Sequence, residues 1–191
     1  EVPNSLYTLR DLGIWDLIYE HCSYFCAGSL GHTFEESGFS VVDIREEFDG
    51  QFLSIVACPK GESRSMEQWE EAGDIAPYVR SFRASYLEKR HNWRCWLKAA
   101  YETGKKVVLW GGGSKGVTFL NVVANGGVEY VVDINPNKWG MYVAGAGQEI
   151  VSPQSLVEYR PDYVLLMNPI YEPEVHEMIG ALNLNPQVLI A

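Results

Sequence analysis

From Lys106 to the last residue, short unbroken apolar runs alternate with stretches of helical periodicity, and few folds accommodate that order. Lys106-Val107-Val108-Leu109-Trp110 has the form of a strand buried on both faces. Val117 to Ala124 predicts a helix, and Val128-Glu129-Tyr130-Val131-Val132-Asp133 a second strand. After an irregular glycine-rich stretch, Ser152-Pro153 starts another helix, with serine at the N-cap and proline at the first helical position. Tyr163 to Met167 is a third buried strand, Glu172 to Leu182 a helix, and Gln187 to Ile190 a last strand. Such strands alternating with helices predict a Rossmann-like α/β fold, a parallel sheet with flanking helices.

Gly111-Gly112-Gly113-Ser114-Lys115-Gly116 matches G-x-G-x-x-G between a strand and a helix, and Asp133 ends the next strand. One glycine permits the tight turn, one lets an anion approach backbone N–H donors, and one lets helix and strand pack closely. The helix N-terminus and Lys115 add positive charge, and an acid at Asp133 suits the hydroxyls of a ribose. Turns of this kind also occur in domains that bind no dinucleotide. Asn135-Pro136 and Asn168-Pro169 follow parallel strands, where open α/β sheets place ligands. Asn168 and Tyr171 either face the crevice of Gly113 or belong to a plain chain-turning pair, the reading favoured for Asn135.

The first half reads differently. Leu12 to Tyr19 and Ser29 to Ser37 carry helical patterns, the second closed by Gly38. Phe39 to Ile44 and Gln51 to Ala57 alternate around Asp49-Gly50, predicting an antiparallel hairpin ended by Pro59. A hairpin is not a domain by itself and needs a sheet to join. A polar stretch from Lys60 to Ser63 follows. Val79, Phe82, Tyr86, Trp93, Leu97 and Tyr101 then form one stripe of a long helix, with Pro77 at its start and Gly104 as its C-cap. Trp69, Trp93 and Trp96 are expected to pack against a neighbouring sheet.

With 25 acidic against 15 basic residues, the net charge of −10 argues against unspecific nucleic-acid binding. No uncharged run approaches the roughly 18 apolar residues a membrane span needs, and no secretory signal opens the chain. The four cysteines make one C-x-x-x-C, Cys22 and Cys26 beside His21 and His32, with no second pair to complete a zinc site. Reduced cytoplasmic thiols are the expectation, and no metal is expected on this chain. Without an initiator Met, the chain reads as a processed product or a piece of something longer.

Tyr19-Glu20-His21 ends the first helical pattern. A histidine beside a carboxylate suits a general base, although Glu-His is also a common solvated pair. Trp15-Asp16 through Tyr19 to Phe25, Gly38-Phe39 with Val42-Asp43, and Gly50 to Leu53 resemble the end of the catalytic domain of SAM-dependent sugar C-methyltransferases. Leu109 to Gly116, Val132 to Pro136, Gly145 to Ile150, Ser152-Pro153 and Val164 to Tyr171 are similar to that family's C-terminal Rossmann-like domain.

The resemblance implies a three-part parent, with a zinc-binding region, a SAM-binding class I methyltransferase domain and the C-terminal domain, acting on nucleotide-linked keto-deoxysugars. By motif, His21 would remove a proton next to the ketone, Glu20 would assist or share that role, and Tyr19 would hold the sugar. The zinc cysteines and the SAM turn with its acid are missing here, so SAM and zinc are expected upstream. Residues 1–59 would then end the catalytic domain, 60–103 form a helical connector and 104–191 the Rossmann-like domain. Methyl transfer would belong to the parent, and the isolated chain would not turn over. The partner implied is a nucleotide-linked sugar, with no nucleic acid and no membrane. Two other readings of the residues stand beside it: a regulatory or docking module binding NAD, CoA or a nucleotide through 111–116, and a brace whose glycine turn is empty. The hairpin's free edge is open to association through strand pairing.

Overall fold

The computed structural model describes residues 1–60, 75–123 and 126–191, and the chain divides into two compact units, Glu1–Tyr86 and Leu87–Ala191. Trp69, most of the polar stretch after Lys60 and the helix end at Ala124 lie outside the described residues.

In the first unit, β1 (Val2–Pro3), β2 (Phe39–Glu47) and β3 (Phe52–Pro59) form an antiparallel sheet of order β1-β3-β2. The predicted hairpin is present, and β1 supplies the strand it needed. Register slips once, between Val41 and Asp43, where a bulge leaves Val42 unpaired. The turn carries Phe48, Asp49 and Gly50 at φ of 52°, 54° and 78°. Asn4 anchors that turn. It is 1% exposed, its Nδ2 donates to the Gly50 carbonyl at 3.0 Å and to Glu46 Oε1 at 3.1 Å, and its backbone N–H meets the Gln51 carbonyl. Its Oδ1 caps α1 (Ser5–Leu9) through the Leu6 N–H. α2 (Ala27–Glu36) packs against β2 and starts two residues before the predicted Ser29.

The helix expected over Leu12–Tyr19 does not form. Leu12 sits at φ 57°, and a Cβ on Gly13 would collide with the Tyr7 ring, so the chain turns there. Only a 3₁₀ turn, Ile14–Asp16, remains. Ile14 and Trp15 are buried, which accounts for the apolar spacing without a helix.

α3 (Ala76–Glu102) is the long helix, with Pro77 in its first turn. It ends at Gly104, φ 68°, where the Lys105 N–H reaches back to the Ala100 carbonyl at 2.9 Å.

The second unit holds five parallel strands in the order β6-β5-β4-β7-β8. They are β4 (Val107–Trp110), β5 (Tyr130–Val132), β6 (Glu149–Val151), β7 (Tyr163–Leu166) and β8 (Gln187–Ile190). α4 (Ser114–Val122) begins three residues earlier than predicted, so the glycine turn runs straight into it. β6 was hidden in the glycine-rich stretch. Its pairing partner outside the sheet is Tyr142, which bridges to Glu149.

Alternation assigns the two faces of the sheet. Val108, Trp110, Val132, Val164 and Leu166 gather with Leu156 of α5 (Leu156–Tyr159) and with Val175 and Ile179 of α6 (Glu172–Ala181). On the other parity, Trp96 stands edge-on to Tyr163 with centroids 5.0 Å apart, and Trp93 meets Phe119 of α4 at 5.6 Å. Both described tryptophans of α3 are therefore packing residues. Among the described residues no helix is long and apolar enough to cross a membrane.

Asn4→Ala leaves the Gly50 carbonyl, the Glu46 carboxylate and the Leu6 N–H without their side-chain partner. It is expected to lower the stability of the first unit by about 1–3 kcal/mol and to speed amide exchange across residues 48–53. Unchanged exchange there would show that the turn holds itself.

Candidate functional site

Tyr19, Glu20 and His21 share one tight turn, closed by the His21 N–H on the Ile18 carbonyl at 3.1 Å. Tyr19 is 98% exposed and Glu20 is exposed, while the His21 side chain is half-buried. The imidazole lies edge-on to the Tyr24 ring at 6.2 Å, and its Nδ1 is enclosed with no hydrogen-bond partner among the described residues. Burial and the Asp16 carboxylate push the Tyr24 phenol up, so it stays an uncharged O–H at neutral pH. Cys22 is exposed and Cys26 buried, and among the described residues no group of three His, Cys, Asp or Glu gathers to hold a metal.

The second unit brings its predicted residues together. Gly111, Gly113, Ser114, Lys115, Gly116, Asp133, Asn168 and Tyr171 all line one cleft of about 510 Å³. It lies where β4, β5 and β7 end, the position at which open α/β sheets seat ligands. The remaining walls are largely apolar, from Trp110, Leu166, Met167, Val175 and Met178. Asn168 serves both its readings: its Oδ1 accepts from the Ile170 N–H at 3.2 Å, and it lines the cleft. Asn135 is a turn former, accepting from the Asn137 N–H at 3.0 Å.

The glycines divide the labour. Gly111 has φ 105°, a conformation that side chains resist. A Cβ on Gly116 would strike the Gly111 carbonyl oxygen, so this glycine lets α4 start against the turn. Gly113 has open space where a Cβ would stand and an ordinary extended backbone, so nothing within the chain requires a glycine there.

Asp133 proves more engaged than its sequence position suggests. Its Oδ2 accepts from the Gly112 N–H and from Lys138 Nζ, both at 2.9 Å, and its Oδ1 accepts from the Asn135 N–H at 2.8 Å. Lys138 Nζ also donates to the Gly112 carbonyl at 3.2 Å, and Trp139 Nε1 donates to the Asp133 carbonyl at 2.7 Å. Burial alone would raise the Asp133 pKa. Lys138 and the two backbone donors outweigh it and hold the carboxyl below its ordinary value. Sequence reasoning missed Lys138, whose one signal is its place five residues after Asp133 across the Asn135-Pro136 turn.

The strand order, glycine turn and cleft define the second unit as a Rossmann-like α/β domain with a cleft at the carboxyl ends of its strands. Residues 60–183 match the family described as the C-methyltransferase C-terminal domain, and the chain belongs to that family. Over 187 residues it is 28% identical to the C-methyltransferase NovU of Streptomyces niveus, a stretch covering 92% of this chain and 44% of NovU. The chain thus spans less than half the length of that curated relative. Among solved structures it is similar to RSP, a Rex-family repressor, at 12% identity and a TM-score of 0.33 over 46% of this chain and 52% of that one. RSP in complex with beta-NADH gives 13% and 0.34 over 61% and 68%.

Gly116→Ala is expected to cost about 1–3 kcal/mol because the collision is with backbone. Gly113→Ala should leave the unfolding midpoint unchanged and weaken only binding of a ligand to the cleft. Equal losses of stability would refute this division. The Asp133 contribution, coming from a depressed folded pKa, is complete above about pH 4 and lost as pH falls through that folded value. Asp133→Asn should therefore flatten the acid side of the stability profile.

Proposed function

We infer that this chain is the C-terminal portion of a SAM-dependent C-methyltransferase that acts on a nucleotide-linked keto-deoxysugar. Residues 1–59 close the catalytic domain, 60–103 connect, and 104–191 form the domain whose cleft seats the nucleotide-linked sugar. The parent works in the cytoplasm, in keeping with four cysteines that are all free thiols. The observation that carries the reading is the turn at 19–21, which displays a phenol, a carboxylate and a half-buried imidazole side by side in a member of a C-methyltransferase family.

Carbon becomes a nucleophile only after losing a proton beside a carbonyl. His21 takes that proton, with its ring orientation set by Tyr24. Glu20 assists the transfer or shares it, and the Tyr19 phenol holds the sugar. The negative charge that develops on the ketone oxygen needs donors at the site. SAM, bound by the rest of the parent, supplies the methyl group. The cleft of the second unit does not fit that cofactor, because the acid that would meet a ribose diol is already occupied by Lys138 and backbone N–H groups. This chain's residues therefore account for the proton and for holding the sugar nucleotide, and turnover needs the remainder of the enzyme. Zinc, where the parent carries it, belongs to that remainder as well.

Deuterium exchange separates proton removal from methylation. With His21→Asn in the full-length enzyme, exchange at the carbon beside the ketone should fall by about 100-fold or more, with or without methyl donor. Exchange at the parent rate would remove His21 as the base.

A further inference from the structure

We propose that Lys138 determines the specificity of the second unit's cleft: by occupying Asp133 it removes the acceptor that would recognise a ribose diol, so the cleft does not distinguish a ribonucleotide from its 2′-deoxy counterpart. The inference rests on the cleft being the seat of a nucleotide-linked sugar.

A carboxylate offers about four acceptor positions, and a vicinal diol is best recognised by two of them at once. Three are filled here. Gly112 N–H and Lys138 Nζ take Oδ2 at 2.9 Å, and Asn135 N–H takes Oδ1 at 2.8 Å, on a side chain only 9% exposed. The arrangement is closed on itself, because Lys138 Nζ also reaches the Gly112 carbonyl at 3.2 Å. Freeing Asp133 for a diol would break the Lys138 ion pair and the two backbone N–H bonds that compensate a nearly buried carboxylate. The lysine is delivered by the 3₁₀ turn Pro136–Lys138, whose start Asn135 caps, and the Trp139 indole fixes the backbone of Asp133 from the other side. Besides Asp133 and Lys138, the polar residues lining the cleft are Ser114, Lys115, Asn168, Tyr171 and Glu174, and the open space above Gly113 at the start of α4 suits phosphate rather than a diol.

UDP and dUDP differ only at the 2′-hydroxyl, and titrating each into this chain by calorimetry reads the inference directly. The unsubstituted chain should bind the two within about twofold of one another. Lys138→Met frees the carboxylate and should favour UDP by about five- to tenfold, the worth of one added hydrogen bond. Should that variant unfold, the double variant Asp133→Asn/Lys138→Met leaves no buried charge and should bind both nucleotides alike. A preference for UDP of about tenfold or more in the unsubstituted chain, abolished in the double variant, would overturn the proposal while leaving the cleft as a nucleotide site. Saturable binding of neither nucleotide would take down the cleft's nucleotide reading itself, and the role of Lys138 with it. In the ligand-free chain, a carboxyl-carbon titration of Asp133 should shift upward on Lys138→Met, and a coincident midpoint in both proteins would also overturn it.

Discussion

One carboxylate fixes the geometry of the second unit's upper edge. Asp133 leaves β5 and immediately binds the first glycine turn through Gly112, the following turn through Asn135 and an ammonium from Lys138. Two strand exits would otherwise be independent loops. With Asp133 between them, the turn after β4 and the 3₁₀ turn after β5 become one hydrogen-bonded piece, and the cleft has a rigid floor on that side. A buried carboxylate is costly unless fully compensated, and here the compensation is complete enough to hold its charge below the usual carboxylate range. Breaking one partner therefore disturbs more than one bond, because the remaining groups share the same atom.

The glycines work with that carboxylate. A Cβ on Gly112 would stand 3.0 Å from Asp133 Oδ2, so the close approach that makes the bond leaves little room for a side chain. Gly116 is required by the Gly111 carbonyl and by Leu109 beneath α4. Gly112 stands at an x of G-x-G-x-x-G; of the pattern's own glycines, Gly111 is set by its φ of 105° and Gly116 by packing. Most of the pattern is thus a statement about how a strand meets a helix, and only at Gly113 does the chain make no demand of its own.

Local repeats made much of this legible. The apolar runs 107–110 and 163–166 are buried on both faces or nearly so, and an unbroken apolar run is what such burial leaves in a sequence, while 187–190 at the sheet edge is only half-buried. The hairpin was equally plain, because Asp49-Gly50 takes the positive φ values that few other pairs tolerate. β6 escaped because three residues carry it, and its support comes from parallel pairing with β5 and a bridge to Tyr142, neither of which leaves a period. The stretch 12–19 misled for the opposite reason: Ile14, Trp15 and Ile18 mimic a helical face, while Gly13 under the Tyr7 ring forbids the helix. The eight cleft residues were readable from strand exits, since topology alone sends those exits to one edge. Lys138 was not, because its link to Asp133 depends on the path of an intervening turn.

The two candidate sites differ in how much of their chemistry the chain completes. The cleft has walls, a floor and a compensated charge, all from residues 110–178. The turn at 19–21 has orientation without enclosure: the imidazole is steadied by Tyr24 and partly covered, yet Tyr19 is almost wholly in water. Proton abstraction beside a ketone gains most where water is excluded, since donors and charges act far more strongly there. A phenol at the surface cannot fix a sugar against solvent by itself. In the proposed reaction the turn would set which side chains meet the reacting carbon, and the enclosure that makes them effective would have to be added to what this turn provides.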